Sequence, residues 1–256
     1  MASPSLCARL ADGHAVLGVL SPTRDPVLVE LCGHLGVDFY MMDGEHGALS
    51  SADAETIARA CDVVRVPALA RVRSLDPKLI LQFLDAGVQG IMLPGVTRAD
   101  ELHALVAAAK YPPEGRRGLG PVRAADYLLS GAPLGDVVRT ANARTLLLPQ
   151  IEDIAAVDAI DILVTVPGID GFIIGPVDLS LSMGHVDEPH HPDVAAAIAR
   201  VVTAVRAAGK LVGTVARTPE HARQLIAAGH RILLLPIGTV LRESLSRFLG
   251  VNRTSP

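Results

Sequence analysis

Aromatic residues are scarce in this chain: four Phe, three Tyr and no Trp make up 3% of 256 residues. A core built without them must be aliphatic, from Ala, Val, Leu and Ile, which suits a barrel interior packed with branched side chains. Cysteine is nearly as rare. Cys7, Cys32 and Cys61 are odd in number and lack metal-ligand spacing, so they read as reduced thiols of a cytoplasmic protein rather than a disulfide framework. Excess positive charge is missing too: 23 Lys and Arg against 27 Asp and Glu give a net charge of −4, with no overall footprint for nucleic acid or an anionic membrane. A small anionic substrate needs only a local positive site and stays open. No apolar run reaches about 18 residues, which argues against a transmembrane helix. Asp12, Gly13 and His14 interrupt the N-terminal apolar patch and no basic stretch precedes it, which speaks against a secretory signal.

Several motif classes are absent as well. The chain has no GxGxxG after its first strand, no Walker A loop, no GxSxG elbow and no HExxH. It has only three lysines, Lys78, Lys110 and Lys210, all in or beside helical stretches rather than at strand ends. A Schiff-base mechanism therefore lacks a candidate.

What the chain has is aliphatic alternation. Hydrophobic residues make up 50% of it, and the mean hydropathy is +0.38. Eight short buried-strand patterns follow one another: AVLGVL, DFYMMD, PALARV, GIMLPG, TLLLPQI, GFIIGP, LVGTVA and RILLLPIG. Between them lie helical stretches at Asp25–Leu35, Ala52–Cys61, Pro77–Ala86, Arg98–Ala109, Asp153–Ile160, Asp193–Ala208 and Pro219–Ala228, with Thr239–Leu249 closing the chain. Asp76-Pro77 and Thr218-Pro219 are helix-start signals, while Gly87, Gly209 and Gly229 mark stops. The count and order predict an α/β fold, a (β/α)8 TIM barrel in a single domain over residues 1–256, with a short extension at 1–13 and a tail at 250–256. A doubly wound open sheet is the runner-up. Two segments break the alternation: Tyr111–Arg139, rich in Gly and Pro, and Met183–Asp193. Long βα loops in barrels usually carry function.

Active-site groups of a barrel belong at the carboxyl ends of its strands. Those positions hold Asp43, Glu45 and His46 after the second strand, Arg71 at the third, Gln150 and Glu152 at the fifth and Asp178 after the sixth. Glu152 and Asp178 are 26 residues apart, about one β/α repeat, so neighbouring strands can bring both carboxylates to one rim, where they suit a hard divalent cation. Singly, each has a structural explanation: Glu152 as a first-turn acid, Asp178 as an N-cap, Arg71 as a neutralising cation, His46 as a polar loop residue. Asp85, at a disfavoured helix C-terminus, needs a partner and fits the orientation of a histidine as well as plain exposure. In EGRRGLG, Arg116 and Arg117 among glycines could face an anion or solvent. His185, His190 and His191 match no zinc signature and read as solvated loop residues.

With these residues in place, the chain resembles the HpcH/HpaI family of class II, metal-dependent aldolases. The resemblance is carried by DFYMMDGEHG, the R-x-x-x-x-DP pattern of Arg71–Pro77, FLDAGVQGIMLP, YPPEGRRGLG, PQIED, GFIIGPVDLSLSMGH and HPDVAAAI, in family order from about Ser21 to Gly238. It implies that Glu152 and Asp178 bind the metal, Mg²⁺, Mn²⁺ or Co²⁺. It further implies that Arg71 contacts the substrate's 2-oxo oxygen and stabilises the enolate together with the cation. Gln150 would belong to the substrate site, with His46 and Asp85 working with water in proton transfer. The turn from Gly175 through Val177 and Asp178 would bind the substrate carboxylate through backbone N–H groups. The implied reaction is reversible aldol cleavage of a 4-hydroxy-2-oxo acid to pyruvate, or a related 2-oxo acid, and an aldehyde. The implied assembly is a homohexamer, a trimer of dimers with an exchanged C-terminal helix.

Three positions depart from the family pattern. Val177 stands where a smaller residue is usual, Arg73 where proline is common, and Gly44 where a side chain is usual. Val177 would narrow the site, and an extra arginine would suit a more anionic substrate such as oxaloacetate. The alternatives are therefore a Claisen-type enzyme joining oxaloacetate to an acetyl thioester, an acyl-CoA ester lyase, and a non-catalytic oxo-acid-binding barrel.

Overall fold

In a computed structural model that describes residues 5–186 and 188–250, nine strands form one parallel, curled sheet. They are β1 (Val16–Ser21), β2 (Phe39–Asp43), β3 (Ala68–Arg71), β4 (Gly90–Met92), β5 (Leu146–Leu147), β6 (Gln150–Ile151), β7 (Gly171–Ile174), β8 (Leu211–Val215) and β9 (Ile232–Pro236). Their order is β5-β4-β3-β2-β1-β9-β8-β7-β6. Seven coincide with predicted strands. The predicted fifth strand is split into β5 and β6 at Leu148-Pro149, because Pro149 has no N–H to give to a ladder. The whole 146–151 run is bonded on both sides: Leu148 and Gln150 donate to Ile91 and Leu93 on one flank, and the carbonyls of Pro149 and Ile151 accept from Ile173 and Gly175 on the other.

Side chains alternate across the strands, as the period of two requires. In β2, Tyr40 and Met42 pack outward with the helices, whereas Phe39 and Met41 point inward to a second apolar cluster with Val16, Leu69, Met92, Leu148, Ile173 and Ile232. Leu6 and Leu10 of α1 (Leu6–Ala11) join the inward cluster. The expected N-terminal extension thus contains a helix that covers the strand-start end of the sheet, and residues 1–4 lie outside the described residues.

The helices on the outer face follow their start signals. They are α2 (Pro26–His34), α3 (Ser51–Val63), α4 (Pro77–Asp85), α5 (Ala99–Ala109), α6 (Leu134–Arg144), α7 (Ile154–Asp158), α8 (Ile160–Leu163), α9 (Pro176–Ser182), α10 (Pro192–Ala207), α11 (Pro219–Ala227) and α12 (Ile237–Leu249). Asp25, Asp76 and Thr218 accept backbone N–H bonds at the starts of α2, α4 and α11, each with Pro in the first turn. Gly87 takes φ +108° just past α4 and ends it. The segment expected to be a long loop, Tyr111–Arg139, contains a 3-10 turn at Arg123–Leu128 and the start of α6. None of the described helices is long and apolar enough to cross a membrane. Residues 251–256 of the expected tail lie outside the described residues.

Candidate active site

Because every strand is parallel, all strand ends face one side, and the predicted site residues other than Asp85 fall there. Asp43 ends β2, Arg71 ends β3, Gln150 opens β6, Glu152 follows it, and Asp178 sits in the first turn of α9 after β7. At the centre is an ion pair. Arg71 Nε and Nη2 reach the two oxygens of Asp43 at 2.9 and 2.6 Å, a bidentate match that holds the guanidinium plane. Its third nitrogen, Nη1, lies 3.2 Å from Glu45 Oε2. Burial alone would raise the Asp43 carboxyl, but the hydrogen bonds and charge of Arg71, with the N–H groups of His46 and Glu45, hold it below the usual range.

Glu152 has the opposite balance. Its carboxyl is pushed up to about 6, first by burial and then by the like charges of Glu45 and Asp178, against a hydrogen bond from Gly95 N–H and the charge of Arg71. The Gly95 N–H donates to Oε1 at 2.7 Å, and Gln150 Nε2 contacts Oε2. The other amide atom, Gln150 Oε1, is buried without a hydrogen-bond partner. Asp178 is exposed and makes no side-chain hydrogen bond or ion pair among the described residues. Gly175 is needed for close approach, since a Cβ there would come within 2.7 Å of Gln150 Nε2 and 3.1 Å of Glu152. Surplus carboxylate charge beside an unpartnered buried amide oxygen fits a hard cation held by oxygen ligands.

His46 projects from the loop after β2. Its imidazole is 66% exposed and lies 3.8 Å from Glu45. Asp85 is elsewhere. It ends α4, at the strand-start side of the sheet, where Arg117 Nη2 donates to it at 2.8 Å; within one chain it is not brought to His46. Helix C-termini and strand C-termini lie on opposite sides of a parallel sheet, so pairing within the chain is geometrically closed. Arg117 also lies 4.5 Å over the Tyr111 ring, so its anion is an internal carboxylate, while Arg116 is exposed. A recess of about 690 Å³ at this same side, lined by Arg117, Tyr111, Arg123 and Arg144, is remote from the acids. The sequence puts both Asp43 and Arg71 at strand ends without pairing them; the parallel register sets them opposite each other.

Of the unusual positions, Val177 is 44% exposed beside Asp178. Arg73 is exposed beyond the end of β3. Gly44 lies so near Arg71 that a Cβ would meet its carbonyl at 2.8 Å.

These features define a parallel α/β protein with an arginine-braced acidic site at its strand ends. The chain belongs to the HpcH/HpaI aldolase/citrate lyase family, which matches residues 17–239. It is 35% identical over 249 residues to a hydroxypyruvate/pyruvate aldolase of Roseovarius nubinhibens, covering 93% of this chain and 94% of that one. To a 2-keto-3-deoxy-L-rhamnonate aldolase of Escherichia coli O157:H7 it is 33% identical, covering 91% and 86%. An HpcH/HpaI aldolase structure from Desulfitobacterium hafniense superposes with a TM-score of 0.90 at 26% identity, covering 98% and 99%. The structure of citrate synthase SbnG superposes with 0.87 at 28% identity, covering 96% of each chain.

Proposed function

We propose that this protein is a divalent-cation-dependent carbon–carbon lyase, an aldolase that reversibly cleaves a 4-hydroxy-2-oxo acid to pyruvate or a related 2-oxo acid and an aldehyde. The observation that carries this reading is the crowding of Glu152, Asp178 and Glu45 beside Arg71, with the Glu152 carboxyl pushed up to about 6. Glu152 and Asp178 would hold the cation, Mg²⁺, Mn²⁺ or Co²⁺, and when bound it supplies Lewis-acid polarisation of the keto group. Gln150 is positioned to orient the oxo acid, and the backbone of Gly175, Val177 and Asp178, at the start of α9, suits its carboxylate. His46 accepts the proton of the 4-hydroxyl, directly or through water. The C3–C4 bond then breaks, its electron pair staying on C3 as C4 becomes the aldehyde carbonyl. Arg71, locked by Asp43, stabilises the charge that develops on the C2 oxygen. Protonation at C3 completes the 2-oxo acid.

The sheet is read as a closed (β/α)8 barrel in one domain, its fifth strand interrupted by Pro149. A homo-oligomer, the hexamer of the resemblance, is supported by α12, which buries only Ile237 and exposes Leu241, Leu245 and Phe248. An exchanged helix would cover that face. Asp85 could then meet His46 only from a second copy. Three free cysteines support a reducing, cytoplasmic setting.

The test is pyruvate release from 4-hydroxy-2-oxo acids, followed with lactate dehydrogenase before and after removal of divalent metal. Cleavage that survives full chelation rejects the reading. The likeness to citrate synthase SbnG favours a Claisen reaction as the second reading. Formation of a thioester-dependent product from oxaloacetate and acetyl-CoA would select it.

A further inference from the structure

Nine histidines occur in the chain, and three of them lie between α9 and α10: His185, His190 and His191. The fold brings two of these together. His185 and His191 stack ring on ring, with centroids 3.6 Å apart and planes 16° from parallel. Nε2 of His185 and Nδ1 of His191 each lie 3.6 Å from one oxygen, Oδ2 of Asp193. One donor atom from each of the three residues falls within a span of 4.8 Å. The Asp193 N–H donates to His191 Nδ1 at 3.2 Å, so that nitrogen presents its lone pair on this side of the ring.

Imidazole binds a metal through a ring-nitrogen lone pair, and here two ring nitrogens stand beside one carboxylate oxygen. In a tetrahedral zinc site, bonds of about 2.0–2.1 Å set donors roughly 3.4 Å apart. The two 3.6 Å nitrogen–oxygen spacings are close to that, and because nitrogen lone pairs lie in the ring planes, binding requires one imidazole to turn out of the stack. A cation would take over the lone pair that now caps α10. The chemistry also differs from that of the acidic site: imidazole nitrogen selects transition metals, whereas the carboxylates of Glu152 and Asp178 suit hard cations.

We propose that His185, His191 and Asp193 form a second metal site, for an imidazole-preferring cation such as Zn²⁺, separate from the one at Glu152 and Asp178. Occupation would tie the connection after α9, the helix that carries Asp178, to the first turn of α10. The inference does not depend on the reaction assigned above.

The test uses the full-length protein, stripped with a chelator and titrated with Zn²⁺ alone by calorimetry and equilibrium dialysis. In a Glu152→Gln, Asp178→Asn background, one equivalent of Zn²⁺ should still bind, and adding His185→Ala should weaken it at least about tenfold. Zinc X-ray absorption on the background variant should show two imidazole ligands, a readout that needs no His185 variant to fold. No binding in the background variant, binding indifferent to His185→Ala, or a shell of oxygen alone would overturn the proposal.

Discussion

Asp43 and Glu152 are both carboxylates at strand ends, within reach of the same guanidinium, yet their surroundings push them in opposite directions. Asp43 has Arg71 on both oxygens and two backbone N–H groups behind it, and its carboxyl is held low. Glu152 has one strong backbone donor and two acidic neighbours, and its carboxyl is held high. One acid is complete in the protein alone, and the other lacks a counter-charge. The contrast separates roles that residue type cannot: Asp43 holds Arg71 in place, whereas Glu152 suits the ligand role proposed for it.

The largest effect should come from removing the ligand. Glu152→Ala or Asp178→Ala should lower cleavage on the order of a thousandfold or more, through loss of the cation, with the fold intact. Metal content and circular dichroism check this together, and a variant with wild-type metal affinity would break the assignment. Arg71→Ala should lower kcat by about 10²–10³-fold, because the C2 oxygen gains charge mainly in the transition state. It should also destabilise the fold by about 3–5 kcal/mol, because Asp43 is left buried and unpaired. Adding Asp43→Asn should recover much of that stability but not kcat. If activity returns with stability, Arg71 is only structural.

Much of this contrast was legible in the sequence, and part was not. Strand ends were readable because apolar runs stop at polar residues, which placed Arg71, Gln150, Glu152 and Asp178 at one edge. Helix starts at Asp25, Asp76 and Thr218 were readable because caps act locally. The break at Pro149 was foreseeable from its missing N–H, yet a single apolar run hid it. The partner of Asp85 was not readable: Arg117 is 32 residues away and arrives through a connection with no periodicity. The His185–His191–Asp193 cluster was likewise invisible to spacing, because a turn rather than a helix register brings its members together.

The comparison also makes a pH prediction of moderate size. A carboxyl whose folded value is raised weakens the metal-free fold as pH climbs from 4.5 toward about 6. Asp43 works the other way, adding stability that is lost as pH falls below the usual carboxylate range. A cation needs Glu152 ionised, so its affinity should be flat above about pH 7 and fall up to about tenfold per unit below 6. Glu45→Gln removes a like charge and should move that fall to lower pH. Calorimetric titration with Mn²⁺ at a series of pH values decides it, and an unchanged midpoint would mean that Glu45 does not act on Glu152.

The smallest effect concerns Val177, whose side chain stands half-exposed beside Asp178, on the turn assigned to the oxo acid. Two methyl groups there restrict space without touching the charges that distinguish Asp43 from Glu152. Val177→Ala should therefore leave metal affinity and the pH midpoint unchanged. Because a few methyl groups in a pocket are worth about 1–3 kcal/mol, it should shift relative kcat/KM between small and bulky oxo acids by roughly tenfold or more toward the bulky ones. Competition between pyruvate and 2-oxobutyrate as aldol donors to one aldehyde measures this directly. An unchanged ratio would show that Val177 faces solvent rather than substrate, and the source of any unusual specificity would then lie with Arg73.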